Sequence, residues 1–168
     1  MKYLLLAALC VTACVPPTER VEGGWWYGVA LEQQPRTFAI NLDPSMEPYA
    51  DLFFDGADAW RSFGYTFSIG NSPSKTVRCA EISGRLGVTG ADGIVINCPY
   101  FARGPVVPYE TAEQLVAEKR QVIAHELGHF LGLLHVEGED SVMHENIGHG
   151  NAFTEADVAE FYKAHPLF

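Results

Sequence analysis

One stretch constrains this chain more than any other: His125-Glu126-Leu127-Gly128-His129-Phe130-Leu131-Gly132-Leu133-Leu134-His135. On a helix, His125 and His129 stand four residues apart, about 40° around the axis, so both project from one face on consecutive turns. Two imidazoles placed this way can share a metal ion. Glu126 lies about 100° from His125 around the axis, beside the pair, where a carboxylate can polarise a water at the metal. Gly132 accepts a left-handed φ at a helix end without a Cβ penalty, which lets the chain turn back and bring His135 in from another direction. Three protein nitrogens leave a fourth position open, the pattern of a catalytic rather than a structural zinc site. Three other readings compete. An amphipathic core helix could carry solvated histidines, but three histidines and Glu126 in register argue against it. A structural zinc site would need a fourth ligand that is not obvious, and would leave Glu126 idle. Imidazole also suits other metals, so a redox or transport site with the same ligands is the third.

The rest of the chain supplies a scaffold of strands and helices. Thr37 to Leu42 alternates apolar and small or polar residues and reads as a strand. Pro48 and Tyr49 introduce a helix from Ala50 to Phe63, with Leu52, Phe53, Ala57 and Trp60 on its apolar face and Gly64 as its stop. Tyr65 to Ile69 alternates again, and Ile94-Val95-Ile96 reads as a short buried strand. Gly70 to Gly90, rich in Gly, Ser and Lys/Arg, yields no element. Thr111 with Gln114 forms a capping-box signature for a long helix running through Leu131, which carries the histidine motif. Its apolar side, with Val122, Ile123 and Phe130, is expected to pack into the core. Thr154 with Asp157 suggests a last helix from Glu155 to about Ala164, with Asp157 serving its start. Strands early, helices late and a helix between them give an α/β or α+β class.

The histidine motif, followed by Ser141-Val142-Met143-His144, resembles the metzincin zinc metallopeptidases, whose extended motif H-E-x-x-H-x-x-G-x-x-H precedes a methionine-containing turn. The order of elements resembles the matrixin branch: the helix with Trp60, the strand from Asp92 to Asn97, the zinc helix, the Met-turn, and the last helix after Phe153-Thr154. The resemblance implies one catalytic domain, a small twisted mixed sheet with a long zinc helix, a second packing helix and a C-terminal helix. It also implies a single Zn²⁺ on His125, His129 and His135, with Met143 packed beneath the imidazoles. The chain departs from the family in places. Val136 stands where matrixins usually have Ser, and Glu145 where astacin-like enzymes usually have Tyr. No latency prosegment is seen between Cys14 and the domain, and the loop that carries structural calcium and zinc in vertebrate matrixins is not recognisable.

The first residues point to export. Lys2 provides a positive start, Tyr3 to Leu9 an apolar run far short of the roughly 20 residues of a spanning helix, and Val11-Thr12-Ala13-Cys14 resembles a bacterial lipobox. Residues 1–13 are then a lipoprotein signal, and residues 14–24, with Pro16, Pro17 and a Gly-Gly pair, a lipidated cysteine and tether. Residues 25–168 form the domain. Acyl chains on Cys14 would hold the protein on an envelope membrane surface, and Val15 is not an aspartate retention signal, which favours the outer membrane. Plain cleavage after Ala13 would give an unanchored secreted protein instead. Cys10 fits a lipobox less well, because bulky Leu9 precedes it. With Cys10 removed and Cys14 lipidated, Cys79 and Cys98 remain, an even pair that reads as a disulfide closing a loop of about 20 residues and contributing roughly 3 kcal/mol. The alternative makes one of the two a zinc ligand, and Arg78-Cys79 faintly resembles the inhibitory cysteine of metallopeptidase prosegments.

The formal net charge of −10 argues against a partner bound through nucleic-acid phosphates. The expected activity is zinc-dependent hydrolysis of peptide or protein substrates, with Glu126 as general base and then acid. The sequence shows no oligomerisation signal, and a monomer is expected. The rival from another class is a surface-anchored binding module that keeps the metal fold without turnover. Among weaker candidates, Tyr109 could reach a substrate oxyanion, and His144, His149 and His165 read as surface or hydrogen-bonded side chains.

Overall fold

The computed structural model describes residues 36–70, 75–106, 108–137, 141–146 and 153–165. The signal, Cys10, Cys14, the tether and His149 lie outside them. Five strands form one sheet in the order β2-β1-β3-β5-β4: β1 (Arg36–Leu42), β2 (Tyr65–Ile69), β3 (Thr76–Ala80), β4 (Gly87–Gly90) and β5 (Gly93–Asn97). β1 pairs in parallel with β2 and with β3, and β3 in parallel with β5. Parallel partners need crossovers, and the one between β1 and β2 is built from α1 (Ala50–Ala57) and two 3₁₀ turns, Pro44–Tyr49 and Asp58–Phe63. β4 is antiparallel to β5 and forms the sheet's edge. Their register pairs Gly90 with Gly93 across Ala91-Asp92, and Gly93 adopts a φ of 119°. A Cβ there would lie 2.0 Å from the Thr76 carbonyl oxygen, so glycine is required on both counts.

The α+β class and mixed sheet match the expectation, and so do β1, β2, β5 and both capped helices. Three points differ. The segment from Gly70 to Gly90 carries two strands, β3 and β4. In β3, Val77 and Cys79 are buried while Arg78 faces out, an alternation too short to stand out among the flanking Gly, Ser and basic residues. The expected helix from Ala50 to Phe63 is α-helical only to Ala57 and then tightens into 3₁₀ turns, ending at Gly64 with φ 78°. A short helix, α2 (Cys98–Ala102), follows β5 directly.

α3 (Ala112–Phe130) packs against α1 and against β4 and β5. Its crossing with α1 is close: a Cβ on Gly56 would sit 2.8 Å from the Arg120 carbonyl oxygen and from Ile123. Val122, Ile123 and Leu127 are buried in this interface, and Phe130 lies edge-on to Phe38 and Phe67. Trp60, fully buried, donates its indole N–H to the Ala124 carbonyl at 3.0 Å, which ties the first crossover to the middle of α3. Around it, Phe63, Phe153 and Phe161 pack edge-on or tilted at centroid distances of 4.5–4.7 Å and dock α4 (Glu155–Ala164) onto the same core. Cys79 and Cys98 form a disulfide, with Cα atoms 5.1 Å apart, linking β3 to the start of α2. The bridge resolves the sequence alternative, because a cysteine so bonded is no zinc ligand. Among the described residues no helix is long and apolar enough to cross a membrane.

Candidate metal centre

The scaffold of the site is α3. Its start is fixed by a reciprocal cap: Thr111 Oγ1 accepts from Gln114 N at 3.1 Å, and Gln114 Oε1 accepts from Thr111 N at 2.8 Å. Its end is fixed by Gly132, whose φ of 92° turns the chain back. The reversal is closed by Leu133 N donating to the Gly128 carbonyl at 3.0 Å and Gly132 N to His129 at 2.9 Å. His135 thereby returns to the face that carries His125 and His129. His129 Nε2 lies 3.0 Å from Nε2 of His125 and 3.0 Å from Nε2 of His135.

Hydrogen bonds on the far side of two rings explain what this cluster can hold. His125 Nδ1 lies 2.8 Å from the Val142 carbonyl oxygen, and His129 Nδ1 2.9 Å from that of Leu133. Carbonyl oxygens only accept, so both rings carry their proton on Nδ1 and aim the lone pair of Nε2 inward. Two lone pairs at 3.0 Å repel unless a cation sits between them. The donor set therefore fits a divalent metal such as zinc, with the outer bonds orienting the ligands. Burial pushes the His125 pKa down to about 4, against the opposing pull of the Val142 carbonyl, and His129 and His135 lower it further. Burial also lowers that of His135, followed by the effect of His129. Both shifts keep the rings in the neutral form that binds metal.

The turn beneath the helix is held by one carboxylate. Asp157 is fully buried and accepts from Ser141 Oγ at 2.6 Å, Met143 N at 2.9 Å, Val142 N at 3.2 Å, Thr154 N at 2.7 Å and Thr154 Oγ1 at 2.9 Å. It completes the cap of α4, as the sequence suggested, and it also clamps the turn whose Val142 carbonyl orients His125. Val136 N donates to the Met143 carbonyl at 3.1 Å, joining the same turn to the residue after His135. Met143 is fully buried, and a Cβ on Gly128 would fall 2.2 Å from its sulfur. Gly128 is thus the gap in α3 through which Met143 approaches the ligand helix. A glycine inside a helix costs about 1 kcal/mol relative to alanine, a sequence signal that could have singled it out.

Glu126 is 4% exposed and borders a cleft of about 1060 Å³ that also contains the three histidines. One wall is the edge strand β4 with Arg85 and Leu86, and the other includes Leu134, Glu145 and Asn146. Burial raises the Glu126 pKa, while a hydrogen bond from Thr89 and the charge of Arg85 act the other way. Thr89 Oγ1 stands 2.6 Å from Glu126 Oε2. Neither Thr89 nor Gly87, both against Glu126, was visible in the sequence, because their segment showed no periodicity. Tyr109 is not in this cleft. It lies 86% exposed in a separate hollow with Arg103, Glu110 and Gln114, at the opposite end of α3, roughly 20 Å along the helix from His125. His144 Nδ1 receives Asn146 N at 3.2 Å, and His165 packs its ring on Phe161 and Tyr65. Neither joins the ligand group.

In comparison with known proteins, the family model described as Matrixin matches residues 25–163. No curated protein matches the chain.

Two expectations follow from this geometry. In the metal-free protein the His125 ring stays neutral until the pH falls to about 4. An unfolded imidazole takes its proton near 6.5, so between those values the unfolded state binds more protons, and this residue's contribution to stability is lost as the pH drops. A ring NMR titration of metal-depleted protein checks this; a His125 midpoint near 6.5 contradicts it. Asp157→Asn turns amide N–H groups toward buried donors and is expected to cost about 2–4 kcal/mol. It should also weaken metal affinity about 10–100-fold by loosening the Val142 carbonyl. Urea unfolding and competition against a metal chelator measure the two effects, and an unchanged pair of values refutes the clamp.

Proposed function

The chain belongs to the matrixin family, and from that premise we propose that it is a zinc-dependent endopeptidase acting on peptide or protein substrates at a membrane surface. The observation that carries this reading is the convergence of three inward-aimed Nε2 atoms beside a buried carboxylate, in a cleft open along a sheet edge. His125, His129 and His135 would hold the ion. Zinc, when bound, lowers the pKa of water and polarises a carbonyl. Glu126 takes a proton from the attacking water and returns it to the departing amine. Its low exposure suits that task, since burial makes the protonated form accessible. Among the described residues β4 pairs only with β5 and lies along the cleft as an antiparallel edge, a surface on which an extended peptide can align through backbone hydrogen bonds. Met143 underlies the ligand helix and supports the ligands from behind.

The proposal includes location. Residues 1–13 act as an export signal, Cys14 is lipidated, residues 14–24 tether the domain, and residues 25–168 carry the activity at a bacterial envelope membrane, with the outer membrane favoured. The order of Lys2, an apolar run and Val11-Thr12-Ala13-Cys14 supports this.

Glu126→Gln is expected to reduce peptide hydrolysis by about 10²–10⁴-fold while zinc remains stoichiometric. Chelation should abolish activity in the wild type and lower its melting temperature, both restored by zinc. Peptide-library cleavage and elemental analysis test this. A wild type that binds peptides at full zinc occupancy but cleaves none would instead establish a binding module without turnover. Cys14→Ala is expected to move the protein from the membrane to the soluble fraction, and mass spectrometry should find the acyl chains on Cys14. Unmodified Cys14 in a soluble wild type overturns the anchor.

A further inference from the structure

The edge strand β4 does more than border the cleft. Thr89, paired with Ile94 of β5, directs its hydroxyl at α3, where two oxygens of one residue lie within reach: Glu126 Oε2 at 2.6 Å and the Glu126 backbone carbonyl at 2.9 Å. A hydroxyl has a single proton to donate, and both oxygens are acceptors only. The shorter distance and the charge of the carboxylate give that proton to Oε2. The strand fixes the Thr89 backbone, and its β-branch limits rotation about χ1, so the donor arrives pre-set. The other oxygen, Oε1, has no hydrogen-bond donor among the described residues. It lies against Gly87, where an added Cβ would stand 2.5 Å from Oε1 and 2.6 Å from Cγ. Two residues of one short strand therefore define how this carboxylate sits: Thr89 holds one oxygen, and the missing side chain at position 87 makes room for the other.

We propose that Thr89 is the positioning residue of Glu126, holding Oε2 so that Oε1 is the oxygen that exchanges protons with the reacting groups. This inference rests on the reading of Glu126 as general base. In the proposed sequence the attacking water forms its bond to the carbonyl carbon and gives its proton to Oε1. As the carbon–nitrogen bond breaks, that proton passes from Oε1 to the departing nitrogen, and Glu126 is again a carboxylate. Oε2 takes no part in the transfer and stays on the Thr89 hydroxyl. A glutamate has three rotatable side-chain bonds, and without this tether the carboxylate would sample positions from which no proton moves. The Thr89 hydroxyl touches neither the attacking water nor the substrate in this scheme; its effect passes through Glu126.

The test compares Thr89→Val, which keeps the shape and removes the hydroxyl, with Thr89→Ser, which keeps the hydroxyl. Zinc content, kcat, KM and the Glu126 carboxyl ¹³C resonance of the zinc-loaded protein are measured at one pH, the resonance being assigned by its loss in Glu126→Gln. Thr89→Val is expected to lower kcat about 10–100-fold, the range typical of groups that orient a reacting residue. KM and zinc content should stay close to wild type, the Glu126 resonance should move, and Thr89→Ser should restore most of both kcat and resonance. If Thr89→Val does not accumulate in folded form, Thr89→Ala removes the same hydroxyl and carries the same expectation. On a Glu126→Gln background the valine change should have little further effect on residual turnover, whereas a purely structural hydroxyl would act on stability equally in both backgrounds. Wild-type kcat in Thr89→Val, failure of Thr89→Ser to rescue, or an unmoved resonance overturns the proposal. If the wild type cleaves no peptide, the endopeptidase reading falls, and the resonance alone still decides whether Thr89 holds Glu126.

Discussion

The carboxylate of Asp157 is the interaction on which the site's geometry most depends. It lies at the first turn of α4, fully buried, and neutralises the donors of two segments far apart in sequence. A buried carboxylate without partners would be prohibitive, since hydrogen bonds must replace the hydration it gives up. Here the hydroxyls and backbone N–H groups of Ser141, Val142, Met143 and Thr154 make up that shell. With the turn clamped, the Val142 carbonyl has a fixed direction and so has the His125 ring. With Met143 clamped, its sulfur fits the space that Gly128 leaves in α3. The metal ligands thus inherit their positions from a helix that bears none of them.

The cleft does not share the molecule's acidic balance. The chain carries a formal charge of −10, yet in the cleft Lys75 and Arg85 match Glu126 and Glu145 in number, and among the described residues neither cation forms an ion pair. Lys75 lies between the rings of Phe38 and Phe130, at 4.7 and 5.0 Å from their centroids, so its charge is held against aromatic faces rather than free in water. Glu126 feels Arg85 as a stabilising charge and burial as a larger penalty. Its proton affinity is the balance of burial against one hydroxyl and one guanidinium.

What the sequence made legible was local. The helix bearing His125 and His129, its Thr111 cap, the Gly132 reversal and the Thr154 cap all depend on residues within a few positions of each other, and each lies where expected. What stayed hidden was set by pairing across the chain. β3 and β4 are four or five residues long, and their place comes from β5, not from their own periodicity. Thr89 and Gly87 matter only because that pairing lays them against Glu126, 37 and 39 positions later. Asp157 was visible as a capping residue, and that sufficient local explanation concealed its second set of partners. The 3₁₀ ending of the first crossover and the separate hollow around Tyr109 are likewise products of packing.

The dependence on Asp157 also gives the site a history. The histidine motif precedes α4 in the chain, so a growing polypeptide presents His125, His129 and His135 before it presents the carboxylate that orders the turn beneath them. In the folded domain Asp157 links the docking of Phe161 and Phe153 on Trp60 and Phe63 to the turn whose Val142 carbonyl meets His125. The last helix and the ligand set are therefore coupled through one carboxylate. Whatever loosens α4 from the core therefore also loosens the support of the His125 ring, although the two lie on different helices.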